Sequence, residues 1–247
     1  MTNPILRNPW LLSGSFFLAA ILGGLVSFGA QHLATGEHAD GGGEAIRAYL
    51  LEHPEVLPEA MEKLQEREYA KAISPNRKAF ETPFAGAEWG NPNGDVTVVA
   101  FLDYACGYCR ASLPSLAKLV ANDPKVRIVY REYPVLGDAS VSAARWALAA
   151  AEQGKFRAFH EALYANGQLD EASIASAATG VGLDKARAAR VMATPAVDAE
   201  IANNHKLAAS IGGRGTPVWV IGDTVIPGYV EYSVLADAVK KARDKKA

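Results

Sequence analysis

The sequence predicts an α/β fold, and three patterns along the 247-residue chain support this prediction. A β-branched and aromatic run at 96–102, a helical pattern and a second short strand at 126–130 together form a βαβ unit. An alanine-rich helical stretch covers 140–211, and a β-hairpin pattern follows it at 217–226. Because 49% of the residues are apolar and 21% are charged, the chain can bury one substantial core.

The composition excludes several functional classes. Twenty-five Lys and Arg residues against 27 Asp and Glu residues give a formal charge of -2, so the bulk charge does not indicate a nucleic-acid-binding protein. The 22 Gly and 13 Pro residues are close to the average of globular proteins, which excludes collagen-like and low-complexity chains. The only two cysteines are Cys106 and Cys109, so neither a disulfide-rich scaffold nor a four-cysteine zinc site can form.

An apolar N-terminal segment predicts export. Residues 1–36 carry one charged side chain, Arg7, and residues 10–30 carry none. As a helix, residues 10–30 would be about 32 Å long, enough to span a hydrocarbon core of about 30 Å and longer than the apolar region of most cleavable signals. Residues 1–35 are therefore predicted to be either an uncleaved membrane anchor or a cleaved signal sequence. In both cases Arg7 stays inside and the rest is exported to an oxidising compartment.

A flexible linker and a helical stalk are predicted next. The linker, 36–43, is polar and glycine-rich. Residues 44–80 carry apolar residues at steps of three and four, which predicts a short helix, a break near His53 and Pro54, and a longer amphipathic helix. The longer helix carries a narrow apolar stripe formed by Leu57, Met61 and Leu64. Such a stripe is typical of a helix that pairs with another helix, so self-association is predicted, with packing on the chain's own globular domain as the alternative.

The remaining residues, 81–247, are predicted to form the α/β domain. Its elements after the first strand are a helix at 110–121 with Pro114 inside it, a strand at 126–130, a helical insertion at about 138–212, the hairpin at 217–226 and a closing helix at 232–243. A turn-rich stretch precedes the first strand, with turn-forming residues at 74–76 and again at 90–94. Trp89 and Trp219 are predicted core residues.

The pair Cys106 and Cys109 carries the most specific chemistry in the sequence. The two cysteines lie between a buried strand and a helix, so Cys106 stands at a helix N-terminus, where unpaired N–H groups and a partial positive charge stabilise a thiolate. Cys109 lies one turn further into the helix and is expected to be more buried and to keep the higher pKa. This arrangement predicts that Cys106 is the nucleophile and that Cys109 resolves a mixed disulfide within the molecule.

Two alternatives use the same cysteines. A structural disulfide across a four-residue loop would contribute only about 2 kcal/mol on the chain-entropy model, which is a weak reason for placing it at a strand-to-helix turn. Two thiolates can also hold Cu(I) without further ligands, so a copper-binding or copper-tolerance protein is the alternative function. The five histidines show no ligand spacing with the cysteines or with one another.

The order of these motifs resembles the thioredoxin superfamily in its DsbA-like branch. The resemblance rests on the CGYC motif at a helix start, the helical insertion and Thr216-Pro217 before the hairpin, and it covers about residues 83–246. It implies a thioredoxin-like fold with the helical subdomain inserted, in which Pro217 is cis and faces the two sulfurs. It also implies that a bound polypeptide contacts Thr216, Gly107 and Tyr108.

The stalk has a resemblance of its own. Residues 44–64 resemble the oligomerisation segment of the ScsC-like proteins, which are periplasmic DsbA relatives linked to copper tolerance. The two resemblances together imply a homo-oligomer, with a trimer favoured, and no cofactor besides the redox-active disulfide Cys106–Cys109. They imply unfolded or misoxidised exported proteins as substrates and a membrane redox partner of the DsbB or DsbD/ScsB type. The predicted function is therefore thiol-disulfide oxidoreduction, as oxidase or isomerase, on exported proteins.

One departure from the DsbA-like pattern concerns the residue before the second cysteine. The strongly oxidising relatives carry a histidine there, whereas this sequence has Tyr108, which is neutral at pH 7 and adds no positive charge beside Cys106. Asp103, at the end of the strand, is a candidate proton carrier for Cys109, with a solvated strand-end carboxylate as the alternative. Glu132 is predicted to be a surface ion partner.

Overall fold

The computed structural model describes residues 42–245. The segment predicted to be a signal sequence or anchor, 1–35, and most of the predicted linker lie outside these residues. Within 42–245, no helix is both long enough and apolar enough to cross a membrane. The contacts divide the chain between Glu62 and Lys63 into two compact units.

The first unit contains the first of the two predicted stalk helices and the beginning of the second. Helix α1 spans 42–52, the chain breaks at His53, and α2 (Val56–Ile73) begins two residues after Pro54. The break and both helices were predicted. The side chains of Leu57 and Met61 are 52% and 71% exposed.

The second unit is built around one mixed five-stranded sheet. Its strands are β1 (Glu88–Gly90), β2 (Val96–Leu102), β3 (Val126–Glu132), β4 (Val218–Ile221) and β5 (Thr224–Pro227). The strand order is β1-β3-β2-β4-β5, with β2 and β3 parallel and the other pairs antiparallel. The helices are α3 (Arg77–Glu81), α4 (Gly107–Asn122), α5 (Asp138–Ala151), α6 (Phe156–Ala165), α7 (Glu171–Gly180), α8 (Lys185–Met192), α9 (Pro195–Ser210) and α10 (Tyr232–Asp244). The predicted βαβ unit, helical insertion, hairpin and closing helix are all present.

The central strand β2 is buried on both faces, and its alternate side chains enter two different cores. Val98 and Ala100 belong to the larger core, which includes residues of α4, α5, α6 and α10. Val99 and Phe101 belong to the smaller core, which contains Ile73 at the end of α2, Phe80 in α3 and residues of α9. This alternation follows from the period of two in a β-strand. Layers of helices therefore cover both faces of the sheet, and the site described below lies at the C-terminal end of β2.

Two sequence predictions need correction. The boundary between stalk and domain was predicted at 80/81, but Ile73 and Phe80 are 0% and 1% exposed inside the smaller core. The apolar stripe indicated only the exposed side of the long helix, whereas the end of that helix is part of the domain. Strand β1 was missed, because three residues among turn-forming neighbours show no alternation; it pairs with β3 at the sheet edge. Trp219 is a core residue as predicted, and Trp89 is only partly buried at the core surface.

Candidate active site

The two cysteines lie where β2 passes into α4. Cys106 is the N-cap residue of α4, and its sulfur accepts a hydrogen bond from the backbone N–H of Cys109 at 3.3 Å. An N-cap acceptor satisfies one of the N–H groups that a helix leaves unpaired at its start. A sulfur at this place lies at the positive end of the helix dipole. The geometry is that predicted for a nucleophilic Cys106.

Exposure distinguishes the two sulfurs. Cys106 retains 7% exposure and is flanked by the exposed Gly107 and Tyr108, whereas Cys109 is fully buried. Burial raises the pKa of the Cys109 thiol well above its ordinary value, and hydrogen bonds with the Asp103 backbone and the Thr216 side chain act in the opposite direction. Cys106 is therefore the sulfur that an external disulfide can approach, and Cys109 is held as a thiol behind it.

Thr216 and Pro217 lie against the two sulfurs. The peptide bond between them is cis, as the resemblance implies. The carbonyl oxygen of Thr216 accepts a hydrogen bond from the Cys106 thiol at 3.3 Å. The chain thus brings together two segments 110 residues apart, and both cysteines contact the same threonine.

Asp103 is buried, so the alternative of a solvated strand-end carboxylate is wrong. Its carboxylate accepts hydrogen bonds from the backbone of Ala105, Val135 and Leu136 and from the hydroxyl of Ser140, at 2.7–3.0 Å. Asp103 is 1% exposed. The side chain therefore joins the segment before Cys106 to the segment that begins α5. The proton-carrier role of Asp103 stays a prediction.

Glu132 is also buried, which corrects its assignment to the surface. It ends β3 and is paired in the parallel register with Leu102, the last residue of β2. It therefore lies beside the start of residues 103–106, the cysteine loop, which connects β2 to α4. The hydroxyl of Tyr104 lies 3.2 Å from a Glu132 carboxyl oxygen and 3.0 Å from Nδ1 of His160. The hydroxyl of Tyr164 donates to the carbonyl of Asp103 at 2.9 Å. A buried polar cluster, formed by Glu132, Tyr104, His160 and Tyr164, therefore lies beneath the cysteine loop.

The next question is which groups of this buried polar cluster hold protons. The Tyr104 hydroxyl has one proton to donate but two neighbours that could accept it, so one neighbour must itself donate. Burial raises the pKa of Glu132 well above its usual range, and the neighbouring acidic groups Asp103 and Glu200 raise it further. Burial lowers the pKa of His160 to about 3, so this imidazole is neutral. The neutral imidazole can donate from Nδ1–H to the Tyr104 hydroxyl, and Tyr104 then donates to a Glu132 carboxyl oxygen.

Replacing Glu132 by glutamine should change the pH dependence of stability. A carboxyl group whose pKa is raised by folding contributes stability that is present below about pH 4.3 and is lost as the pH rises towards the folded pKa. Over that window the native protein should lose up to about 1.4 kcal/mol per pH unit relative to the Glu132→Gln variant, which has no proton to release. Urea unfolding at pH 4, 6 and 8 measures the difference. A difference that is independent of pH would show that Glu132 is ionised in the folded protein.

Most residues of this buried polar cluster have no signal in the sequence. Tyr104 lies two residues before Cys106 and was not singled out, and His160 and Tyr164 come from α6, more than 50 residues further along the chain. The strong amphipathicity of α6 identifies its buried face, and His160 and Tyr164 lie on that face. Which buried residues of α6 lie beside the cysteine loop depends on tertiary packing.

The alternative function, copper binding, needs side chains that can hold a metal ion. Within 42–245, no group of three or more His, Cys, Asp or Glu side chains is placed to hold a metal ion. A Cu(I) ion would have only the two sulfurs as ligands, so the copper alternative gains no support from the structure.

Comparison with protein families places the chain. The model of the DSBA-like thioredoxin domain matches residues 97–240, which include both cysteines, Thr216 and Pro217. The chain belongs to this family. The model of the copper resistance protein ScsC N-terminal domain matches residues 43–71 of this DSBA-like protein, a segment that contains no cysteine.

Solved structures agree with this family. A thioredoxin-like oxidoreductase from Silicibacter pomeroyi DSS-3 is 46% identical, with a TM-score of 0.66, over 68% of this chain and 98% of that one. Proteus mirabilis ScsC, in a transitional conformation, is 30% identical, with a TM-score of 0.65, over 81% of this chain and 94% of that one. The match to ScsC extends to more of the chain, consistent with the two family models found along it.

A curated relative matches over part of its length. The Na(+)/H(+) antiporter NhaA 3 of Salinispora tropica is 30% identical over 156 residues, which are 62% of this chain and 24% of the antiporter. The chain therefore spans about a quarter of this relative. The name of this relative describes ion transport, and a match to a quarter of its length does not assign that activity to this chain.

Proposed function

We propose that the protein is a thiol-disulfide oxidoreductase that acts on exported proteins through Cys106 and Cys109. The observation that supports it best is the asymmetry of the pair: a sulfur at a helix N-terminus that substrate can reach, in front of a fully buried thiol one turn away. In the reducing direction, the Cys106 thiolate attacks a substrate disulfide and expels one substrate thiolate. Cys109 then loses its proton and attacks Cys106, which releases the second substrate thiolate and leaves a Cys106–Cys109 disulfide. In the oxidising direction, the same steps run backwards.

The substrate polypeptide would bind where Thr216, Gly107 and Tyr108 surround Cys106. Tyr108 is 69% exposed, and a Cβ placed on Gly107 would meet no atom within 4 Å, so this side of Cys106 is open. Thr216 precedes the strand β4 and has its carbonyl beside the Cys106 sulfur. An extended substrate segment could pair with this backbone in the manner of an added β-strand.

Two assays test this function together. Reduced protein should accelerate the dithiothreitol-driven precipitation of insulin if it transfers electrons to disulfides, and it should reactivate scrambled ribonuclease if it also rearranges them. Activity in the first assay alone supports an oxidase or reductase, and activity in both supports an isomerase. A protein that is inactive in both assays, with both thiols titrating as free, contradicts the proposal. We propose the periplasm as the place of action, with a membrane partner of the DsbB or DsbD/ScsB type resetting the cysteine pair.

The choice between oxidase and isomerase depends on oligomerisation, which we propose occurs through the apolar stripe of α2. Leu57, Met61 and Leu64 are each more than half exposed, and a helix with a narrow apolar stripe is marginal in water without a partner. The same stripe of another subunit is a matching partner, and a trimer is the state favoured. Several Cys106 residues would then face one substrate, as shuffling of wrong disulfides requires.

Charging the stripe should dissociate this oligomer. In the double variant Leu57→Lys/Met61→Lys, charged side chains would have to be buried between helices, so light scattering should give the monomer mass. Scrambled-ribonuclease reactivation should fall to background while insulin reduction is retained. Glu62→Lys, an equal charge change at an exposed position of the same helix outside the stripe, is the matched control and should leave the mass unchanged. A native protein that is already monomeric would contradict the proposal and favour a plain oxidase.

A further inference from the structure

Tyr133 lies between the end of the central sheet and the loop that carries Thr216. It directly follows β3 and is 6% exposed. Its backbone N–H donates to the carbonyl of Leu102, the last residue of β2, at 2.9 Å. Its hydroxyl donates to the carbonyl of Gly213 at 3.1 Å. Tyr133 thus joins the strand that leads to Cys106, through its backbone, to the segment that leads to Thr216, through its side chain.

The ring of Tyr133 is itself fixed in place. It packs edge-on against Phe101 of β2, with ring centres 6.1 Å apart, and against His205 of α9, with ring centres 4.8 Å apart. Aromatic pairs in such arrangements are held by contact area and by the favourable edge-to-face geometry. The hydroxyl of Tyr133 is therefore a defined point rather than a mobile one.

The loop after α9 has few other attachments. It contains Gly212, Gly213 and Gly215, and glycine has the widest backbone freedom of any residue. Within the described part of the chain, the Tyr133 hydroxyl is the one side-chain group that hydrogen-bonds the backbone of residues 212–215. A cavity of about 310 Å³ lies against the loop, so packing does not fill the space beside it.

Gly213 is the point at which the loop is held. Its N–H donates to the carbonyl of Ala208 in α9 at 2.8 Å, while its carbonyl accepts the Tyr133 hydroxyl. Three residues later the carbonyl of Thr216 lies 3.3 Å from the Cys106 sulfur. Fixing Gly213 therefore limits how far the Thr216 backbone can move relative to Cys106.

We propose that Tyr133 is a positioning residue. Its hydroxyl binds Gly213 and so holds the Thr216 backbone in the position in which a substrate polypeptide pairs with it beside Cys106. This inference rests on the proposed function and deepens it. A polypeptide substrate needs both the Cys106 sulfur and the Thr216 backbone. A small disulfide needs only the sulfur, so the two kinds of substrate should respond differently when the anchor is removed.

Tyr133→Phe in the full chain tests the inference, because it removes one hydroxyl and keeps the ring. The probes are 5,5'-dithiobis(2-nitrobenzoic acid), a small disulfide, and a ten-residue peptide whose single cysteine is glutathionylated. Loss of one hydrogen bond that orients the loop should raise KM for the peptide by roughly three- to tenfold and leave its kcat within about twofold. The rate with the small disulfide should stay within about twofold of the native rate. Native protein that reacts with neither probe would contradict the proposed function instead.

Two further variants keep the inference testable. Tyr232→Phe removes a hydroxyl that accepts from Asn122 on the other side of the domain, and it should change neither reaction. Gly213→Ala places a Cβ 3.0 Å from the Ala208 carbonyl and displaces the same loop from its other side, so it should repeat the selective loss towards the peptide. Hydrogen exchange at Gly213, whose N–H donates to the Ala208 carbonyl, should accelerate in Tyr133→Phe while the amides of β2 are unchanged. Equal losses with both probes, or unchanged exchange in the loop, would overturn the proposal.

Discussion

Cys106→Ser should abolish thiol-disulfide exchange, and Cys109→Ser should instead accumulate covalent complexes with substrate. The first variant removes the sulfur that substrate can reach, and the buried Cys109 thiol cannot take its place, because burial raises its pKa and covers its surface. The second variant keeps the Cys106 thiolate at the helix N-terminus but removes the thiol that attacks the mixed disulfide from within. Insulin reduction measures the loss, and non-reducing electrophoresis with a disulfide-containing substrate measures the trapped complex.

Alkylation provides the control for this assignment. At mildly acidic pH, iodoacetamide should label Cys106 first, since thiolate is the reactive form and only Cys106 is accessible. Mass spectrometry after partial labelling identifies the modified site. Faster labelling of Cys109, or trapped complexes in Cys106→Ser rather than in Cys109→Ser, would reverse the roles of the two residues.

The elements that sequence could predict are those whose signals are local. The strand at 96–102, the helical insertion and the hairpin at 217–226 follow from side-chain periodicity and from glycine placement, and the structure has all of them. The position of Cys106 could be predicted for the same reason, since a cysteine between a buried strand and a helix is placed at the helix N-terminus by the chain itself. No information from distant residues is needed for these predictions.

The charges beneath the site could not be predicted in this way. Asp103 and Glu132 each end a strand, where a carboxylate is ordinarily solvated, and the sequence therefore favoured exposed positions for both. In the structure, Ser140 at the start of α5 covers Asp103, and His160 in α6 lies behind the Tyr104 that binds Glu132. The inserted helices bury both carboxyl groups, and which helix lies over which strand end is set by packing between residues 30 to 60 positions apart.

Asp103→Asn should lower the free energy of unfolding by about 3–5 kcal/mol, as expected for a buried polar group that loses its partners. One carboxylate oxygen accepts from Val135 and Leu136, and the other accepts from Ala105 and Ser140. An asparagine has one accepting oxygen and one donating NH2 group. The Ser140 hydroxyl can turn to accept from that NH2 group, but at least one backbone N–H would face it in a place that water does not reach. Urea unfolding of the oxidised protein measures the change.

The same variant separates the two roles open to Asp103. If Asp103 mainly links the cysteine loop to α5, its change to asparagine should lower the stability of the protein. The rate of thiol-disulfide exchange per folded molecule should then fall only slightly. As a proton carrier for Cys109, it should lose little stability, and resolution of the mixed disulfide should slow by about 10²-fold or more. Asp138→Asn, at an exposed position in the first turn of α5, is the matched control and should cost less than about 1 kcal/mol. Because four donors converge on one buried carboxylate, we expect the loss of stability to be the larger of the two effects. An Asp103→Asn protein as stable as the native one would show that Asp103 does not link the cysteine loop to α5.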